Sequence, residues 1–285
     1  MTQHIMSARS VSALLKLIAG FLVLAIAHSN LANAETTSHK TKWNVRFGVI
    51  PVGKATFKIE FDDETYSMSA SGKTVGVAEM VSPGRGRAKS SGLITGDKVM
   101  AIQHEAIYIE EKKKKNKKST LEMDFEDGAV KTVSIEPKKK KRKKKGRKWV
   151  QIQEEQLSSV IDPGSSIIVP VAPENVKNPR AVCNRVLNVY DGDTRFDIKL
   201  KYKYTKTIST EGYDGDAFVC QLRYVPVSGH KKNQKNINYM RDNEGIEIWL
   251  APMENSSLFT PIRIEVPTWI GKFTAIPVFF GSPAK

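Results

Sequence analysis

Along most of the chain, apolar and polar residues alternate with a period of two. In WNVRFGV the residues Trp43, Val45, Phe47 and Val49 fall on one side, and in ATFKIEF the residues Phe57, Ile59 and Phe61 alternate with Lys58 and Glu60. The intervening IPVG reads as the turn of a hairpin. TYSMSAS sets Tyr66, Met68 and Ala70 against Ser67, Ser69 and Ser71, and LEMDF sets Leu121, Met123 and Phe125 ahead of an Asp127-Gly128 turn. RFDIKLKYKY and FVCQLRY repeat the pattern, with Phe196, Ile198, Leu200, Tyr202 and Tyr204 in the first and Phe218, Cys220, Leu222 and Tyr224 in the second. EIWL and PIRIEV complete the series. One apolar and one wet face per strand marks an antiparallel sheet. Helical signal is confined to IQEEQLSSVID, 152–162, enough for about two turns before Pro163-Gly164 stops it. The proline-rich stretch Val169 to Val176 reads as a loop or short turn. The expected fold is all-β: a single strongly curved antiparallel sheet, a half-barrel or β-spiral, with one or two short helices, filling 35–285 as one domain.

The first 34 residues do not fit that pattern. Arg9 and Lys16 precede an apolar run from Leu17 to Ala27, and Ala32-Asn33-Ala34 supplies a small-x-small cleavage site. These are the three parts of a secretory signal peptide, expected to be cleaved after Ala34. The run is short for a membrane span, and no second run of that kind follows. The expected location is the periplasm. Cys183 and Cys220 are the only cysteines, and in an oxidising compartment the pair reads as one disulfide. The alternatives, a catalytic thiol or a metal pair, lack a C-x-x-C spacing or a His beside either Cys.

Charge changes the picture further. The chain carries 45 Lys and Arg against 30 Asp and Glu. Much of the excess sits in two tracts. The first holds Lys112, Lys113, Lys114, Lys115, Lys117 and Lys118. The second holds Lys138, Lys139, Lys140, Lys141, Arg142, Lys143, Lys144, Lys145, Arg147 and Lys148. Without them the mature chain is close to balanced, slightly on the acidic side. Dense like charge cannot build a core, so both tracts are expected as solvated loops, at 112–118 and 137–148. A nuclear or nucleic-acid patch does not suit an exported protein. Anionic envelope surfaces do: lipid headgroups, lipopolysaccharide or cell wall. A passive solubilising insert is the plain alternative.

Catalytic chemistry is not evident. His39, His104 and His230 are scattered in sequence, and no H-E-x-x-H, G-x-S-x-G or phosphate-loop motif occurs. PGRGRAKSSG, 83–92, reads as a loop. Tyr190-Asp191-Gly192-Asp193 and Tyr213-Asp214-Gly215-Asp216 repeat four residues. They lack the ligand ladder of a calcium loop and are expected as hairpin turns. Trp43, Trp149, Trp249 and Trp269 are expected in the core or at its rim. No metal, cofactor or nucleic acid is implied.

The runs VYDGDTRFDIKLKY, GYDGDAFVCQLRYVPVSG, GIEIWLAP and PIRIEVPTWIG resemble the domain-of-unknown-function family 3108 of exported proteobacterial proteins. FGVIPVGKATF, SGKTVG and LSSVIDPGSS fit its N-terminal half. The lysine tracts are not part of that pattern. The resemblance implies a periplasmic, curved β-sheet domain similar to the half-barrels of lipoprotein carriers and to β-spiral envelope proteins. The functional expectation is a non-enzymatic cell-envelope protein that binds a lipid or another envelope component in a sheet concavity. An envelope scaffold or protein-interaction module is the second reading, and a hydrolase assembled from distant residues the third.

Overall fold

The structure is a computed structural model that describes residues 36–111, 116–138 and 149–282. Residues 1–34, Lys112 to Lys115 and Lys139 to Lys148 lie outside the described residues, so the signal peptide and most of both lysine tracts do too. Seven strands run in sequence as a meander: β1 (Thr37–Phe47), β2 (Ile50–Phe61), β3 (Thr65–Thr74), β4 (Gly84–Thr95), β5 (Lys98–Glu110), β6 (Lys117–Glu126) and β7 (Ala129–Glu136). After an inner segment containing the short β8 (Val169–Pro170) comes a second series: β9 (Arg185–Tyr190), β10 (Arg195–Thr210), β11 (Tyr213–Ser228), β12 (Glu247–Pro252), β13 (Leu258–Thr268) and β14 (Gly271–Gly281). The helices are short: α1 (Val77–Val81), α2 (Pro179–Cys183) and α3 (Lys235–Asp242).

β14 returns to pair with β1, so the two meanders fuse into one antiparallel sheet whose outermost strands are β7 and β9. These two edges do not pair, and the sheet is not closed into a barrel. The inner segment spans the gap instead. Ile161 makes a parallel bridge to Val189 on β9, and the Val160 N–H donates to the Gly128 carbonyl at the β6–β7 turn, 3.0 Å away. Elsewhere the sheet curls onto itself. The Phe280 N–H on β14 donates to the Glu211 carbonyl in the β10–β11 turn at 2.9 Å. Gly212 sits in this turn at φ +85°, and a Cβ there would lie 2.6 Å from the Phe280 oxygen. Glycine is required on both counts.

The inner segment is a plug. Ile167 and Ile168 pack with Ile59, Phe61, Tyr66 and Met68 of β2 and β3, while Val160 and Leu157 pack with Met123 and Phe125 of β6. Val169, Val171 and Val182 join Leu200, Leu250 and Phe259 in a further cluster. The disulfide Cys183–Cys220 forms, with Cα atoms 5.5 Å apart, and ties α2 to β11.

Several local expectations are corrected. The 152–162 stretch makes only a single 3₁₀ turn at Glu154–Leu157, because Val160 and Ile161 are drawn into extended pairing with the sheet. The first hairpin turns at Gly48-Val49, and Ile50 to Gly53 belong to β2. Gly48, at φ 58°, carries the reversal. PGRGRAKSSG is mostly strand β4 rather than a loop, since its residues fill ladder positions on both sides. Tyr213 to Asp216 open β11, the turn having fallen at Glu211-Gly212. Tyr190 to Asp193 is a turn as expected, with the Asp191 carboxylate accepting from the Asp193 and Thr194 N–H groups. Lys117 and Lys118 are not loop residues. Both are exposed and start β6 opposite Glu110 and Ile109, with Lys118 on the outer face and Lys117 in line with Ser119 and Leu121 on the inner one. Lys138 follows β7 and is exposed.

The bridge closes a chain separation of 37 residues, for which chain entropy predicts a stabilisation of about 4 kcal/mol. The Cys183→Ser/Cys220→Ser double variant should lose stability of that order in urea unfolding, and reductant should shift the wild type by the same amount and leave the variant unmoved.

Candidate functional site

The register of the first six pairings builds the site. Directly opposed residues form cross-sheet rows on the inner face. One row runs Ile59, Met68, Ser90, His104, Met123 from β2 to β6. Its members are almost wholly buried, because the plug covers them. The next row, two residues further along each strand, runs Phe57, Ala70, Ala88, Ala106, Leu121, Ile135. The row after that runs Ala55, Gly72, Gly86, Tyr108. Phe57, Ala70 and Leu121 still border the plugged core, and the other members of these two rows are less covered. Both rows line an open groove of about 810 Å³.

The groove has a floor of glycine and alanine and walls of Phe57, Tyr108, Leu121 and Ile135. Gly and Ala are weak strand formers, and glycine inside a strand marks a place where something approaches the backbone closely. A large side chain on any of these positions would fill the space, so the sequence keeps it empty. Mostly apolar concavities of this size suit small apolar or amphipathic ligands. The alternate residues Lys73, Arg85 and Arg87 project to the other, exposed face of the same strands.

Below the groove a buried polar cluster holds the plug to the sheet. Asp162 is fully buried. One of its oxygens, Oδ1, accepts from Ser90 Oγ on β4 at 2.7 Å and from the Gly164 and Ser165 N–H groups at 2.8 and 3.0 Å. The same oxygen lies 2.9 Å from His104 Nδ1 on β5. Its other oxygen, Oδ2, accepts from Ser165 Oγ, which in turn accepts from the Tyr66 hydroxyl on β3 at 2.6 Å. Gly164 leaves room for this cluster, since a Cβ would lie 2.2 Å from Ser90 Oγ and 2.3 Å from Met68 Cε. Burial pushes the Asp162 carboxyl up, but the hydrogen bond and charge of His104, with the Ser165 and Ser90 hydroxyls, outweigh it and hold the group below its ordinary range.

Ser, His and Asp together invite comparison with a nucleophile triad. The geometry does not make one. Ser90 Oγ lies 2.9 Å from His104 Nδ1, the nitrogen that also faces Asp162. A relay needs the serine and the carboxylate on opposite ring nitrogens. Here all three groups converge on one point, and the cluster serves as an anchor.

A second buried histidine stands apart. His39 on β1 is 1 % exposed and packs edge-on against Phe280 at 4.4 Å. Neither ring nitrogen has a hydrogen-bond partner among the described residues. Burial lowers its pKa to about 4, and the Glu254 charge offsets only part of this.

Of the residues singled out in the sequence, Cys183 and Cys220 meet as a bridge and have no part in the groove. Lys117 and Lys118 open β6 and Lys138 follows β7, and all three are exposed. Trp43 and Trp249 are core and Trp269 is exposed. The groove rows were not anticipated. Their trace in the sequence is the alternation of Gly84, Gly86 and Ala88 with Arg85, Arg87 and Lys89, a period of two without apolar bulk.

The fold and groove define an open, barrel-like antiparallel sheet with an inner plug and an unfilled concavity. The chain belongs to the DUF3108 family, described as proteins of unknown function, whose model matches residues 42–276. Among solved structures it is similar to a beta-barrel-like protein of domain of unknown function DUF1849 from Brucella abortus, with 9 % identity over 87 % of this chain and 98 % of that one and a TM-score of 0.46. No curated protein matches.

Two outcomes follow. Asp162→Ala leaves His104 and two backbone N–H groups without their buried acceptor, and should cost about 3–5 kcal/mol in urea unfolding. A loss under about 1 kcal/mol would show that the plug is held by packing alone. His39 should make stability fall with acid: a buried neutral imidazole binds its proton less readily than the unfolded chain does. The penalty is absent above the unfolded value of about 6.5 and grows until pH reaches about 4. Over that window the His39→Leu variant should lack a loss of about 3 kcal/mol that the wild type shows.

Proposed function

We propose that this protein is a non-enzymatic periplasmic component of the cell envelope that binds the apolar part of a lipid in its inner-face groove. The observation that carries the reading is the pair of open rows, Ala70-Ala88-Ala106 and Ala55-Gly72-Gly86, beside a plugged row of the same sheet. A chain of methylenes laid along them gains about 0.8 kcal/mol per buried CH₂, and the small floor lets it lie close to the backbone. The plug supports the reading by burying the neighbouring row while the groove rows stay open. The exposed Lys117, Lys118 and Lys138, with the cationic sequence that adjoins them, suit an anionic headgroup or surface.

The test is solvent extraction of the exported, natively purified protein followed by mass spectrometry, with titration of a fluorescent fatty acid. Wild type should carry lipid and take up the probe. Ala88→Trp and Ala106→Trp, which fill the groove from adjacent strands, should weaken uptake on the order of tenfold or more while keeping the wild-type circular dichroism. A folded groove-filled variant that takes up the probe as well as wild type would refute the groove as the binding site.

A further inference from the structure

The antiparallel order fixes which connections share an end of the sheet. The β1–β2 turn, the β3–β4 link with α1 and the β13–β14 turn all leave at one end. They are contiguous. The Gly48 N–H donates to the Lys272 carbonyl at 2.9 Å, and the Val75 N–H to the Val52 carbonyl at 3.1 Å. The rings of Phe47 and Phe273 lie 4.9 Å apart beneath them. The five most exposed large hydrophobic side chains among the described residues all sit on these three connections: Val49 89 %, Val81 86 %, Met80 85 %, Trp269 84 % and Ile270 64 % exposed. Scattered single apolar residues need no explanation, but a contiguous exposed group marks a contact site.

Charge says what covers it. The same end carries the exposed Lys117, Lys138, Lys231, Lys232 and Lys235. Of the acids at this end, Glu111, Asp242 and Glu244 are each paired with an arginine, Asp191 and Asp193 lie in the β9–β10 turn, and Glu79 on α1 is exposed. The opposite end is acidic, with Asp62, Asp63, Glu64, Asp97, Asp127 and Glu254 in its turns. Apolar side chains including a tryptophan, with lysines on the connections to either side and an acidic opposite end, match the interface of an anionic bilayer. We propose that this end docks on an anionic phospholipid membrane, with Met80, Val81, Trp269 and Ile270 entering the headgroup region. α1 joins the two strand ends, Thr74 and Gly84, that line the groove, so docking brings the groove mouth to the lipid. The docking itself does not require the groove to hold lipid.

Sedimentation with vesicles of phosphatidylcholine containing or lacking phosphatidylglycerol tests this on the mature chain. Binding should require the anionic lipid and weaken as salt rises. Brominated acyl chains should quench the tryptophan emission, and Trp269→Phe should remove that quenching while the protein still binds. Met80→Ser/Val81→Ser/Trp269→Ser should bind on the order of tenfold or more weakly at fixed salt, with both lysine tracts intact. Ala88→Trp should bind vesicles like wild type, which separates docking from groove occupancy. Vesicle binding unchanged in the triple variant would overturn the proposal, because the lysine tracts alone would then account for it. So would a lipid-free dimer that the triple variant abolishes, since a second copy would then cover the patch.

Discussion

A carboxylate with no access to water fixes the architecture. Asp162 accepts from β4 through Ser90 and from its own turn through Gly164 and Ser165, and it meets β5 through His104. Such a group is costly to bury unless each lone pair finds a donor. Here donors arrive from two adjacent strands and the plug at once, so only one placement of the plug satisfies it. The apolar contacts of Ile167, Ile168 and Val160 supply most of the burial. They are non-directional, and the polar cluster sets the position they adopt.

That position divides the inner face. Where the plug lies, the strands carry Ile59, Met68 and Met123, side chains with bulk to meet it. Further along, β3 and β4 carry alanine and glycine. On β3 the change occurs within two residues, from Met68 to Ala70, and on β2 within four, from Ile59 to Ala55. A sheet that only needed a core would keep its bulk along the whole strand. The drop in size on neighbouring strands, matched in register, leaves room for something the chain does not itself provide.

How much of this was legible in the sequence depended on bulk. β2, β3, β6 and β10 announced themselves through alternating large apolar residues. β4 did not, because its inner residues are Gly84, Gly86, Ala88 and Ser90, which carry almost no hydropathy. Its charged outer residues held the same period, but a loop reading of a Gly- and Arg-rich stretch was the easier one. The anchor was invisible for a different reason. Ser90 and Asp162 are 72 residues apart, and Tyr66 and Ser165 are 99, so only the folded register brings them together. The disulfide was legible because there was only one pair to form.

The open edges complete the logic. A sheet that does not close leaves two strands with unpaired backbone groups, which invite pairing with another copy. β9 is covered by its bridge to Ile161. Among the described residues β7 has β6 as its sole strand neighbour, and the chain leaves it directly into Lys138 and the cationic sequence beyond. Lysine beside an exposed edge opposes edge-to-edge association, since two copies meeting there would bring like charges together. Lys138 at the end of β7 therefore has a physical effect even without an anionic partner. Salt has opposite consequences for the two roles: screening weakens attraction to an anionic surface, and by weakening the repulsion between β7 edges it favours their association. Rising salt should release the protein from lipid and, by the same screening, favour its self-association.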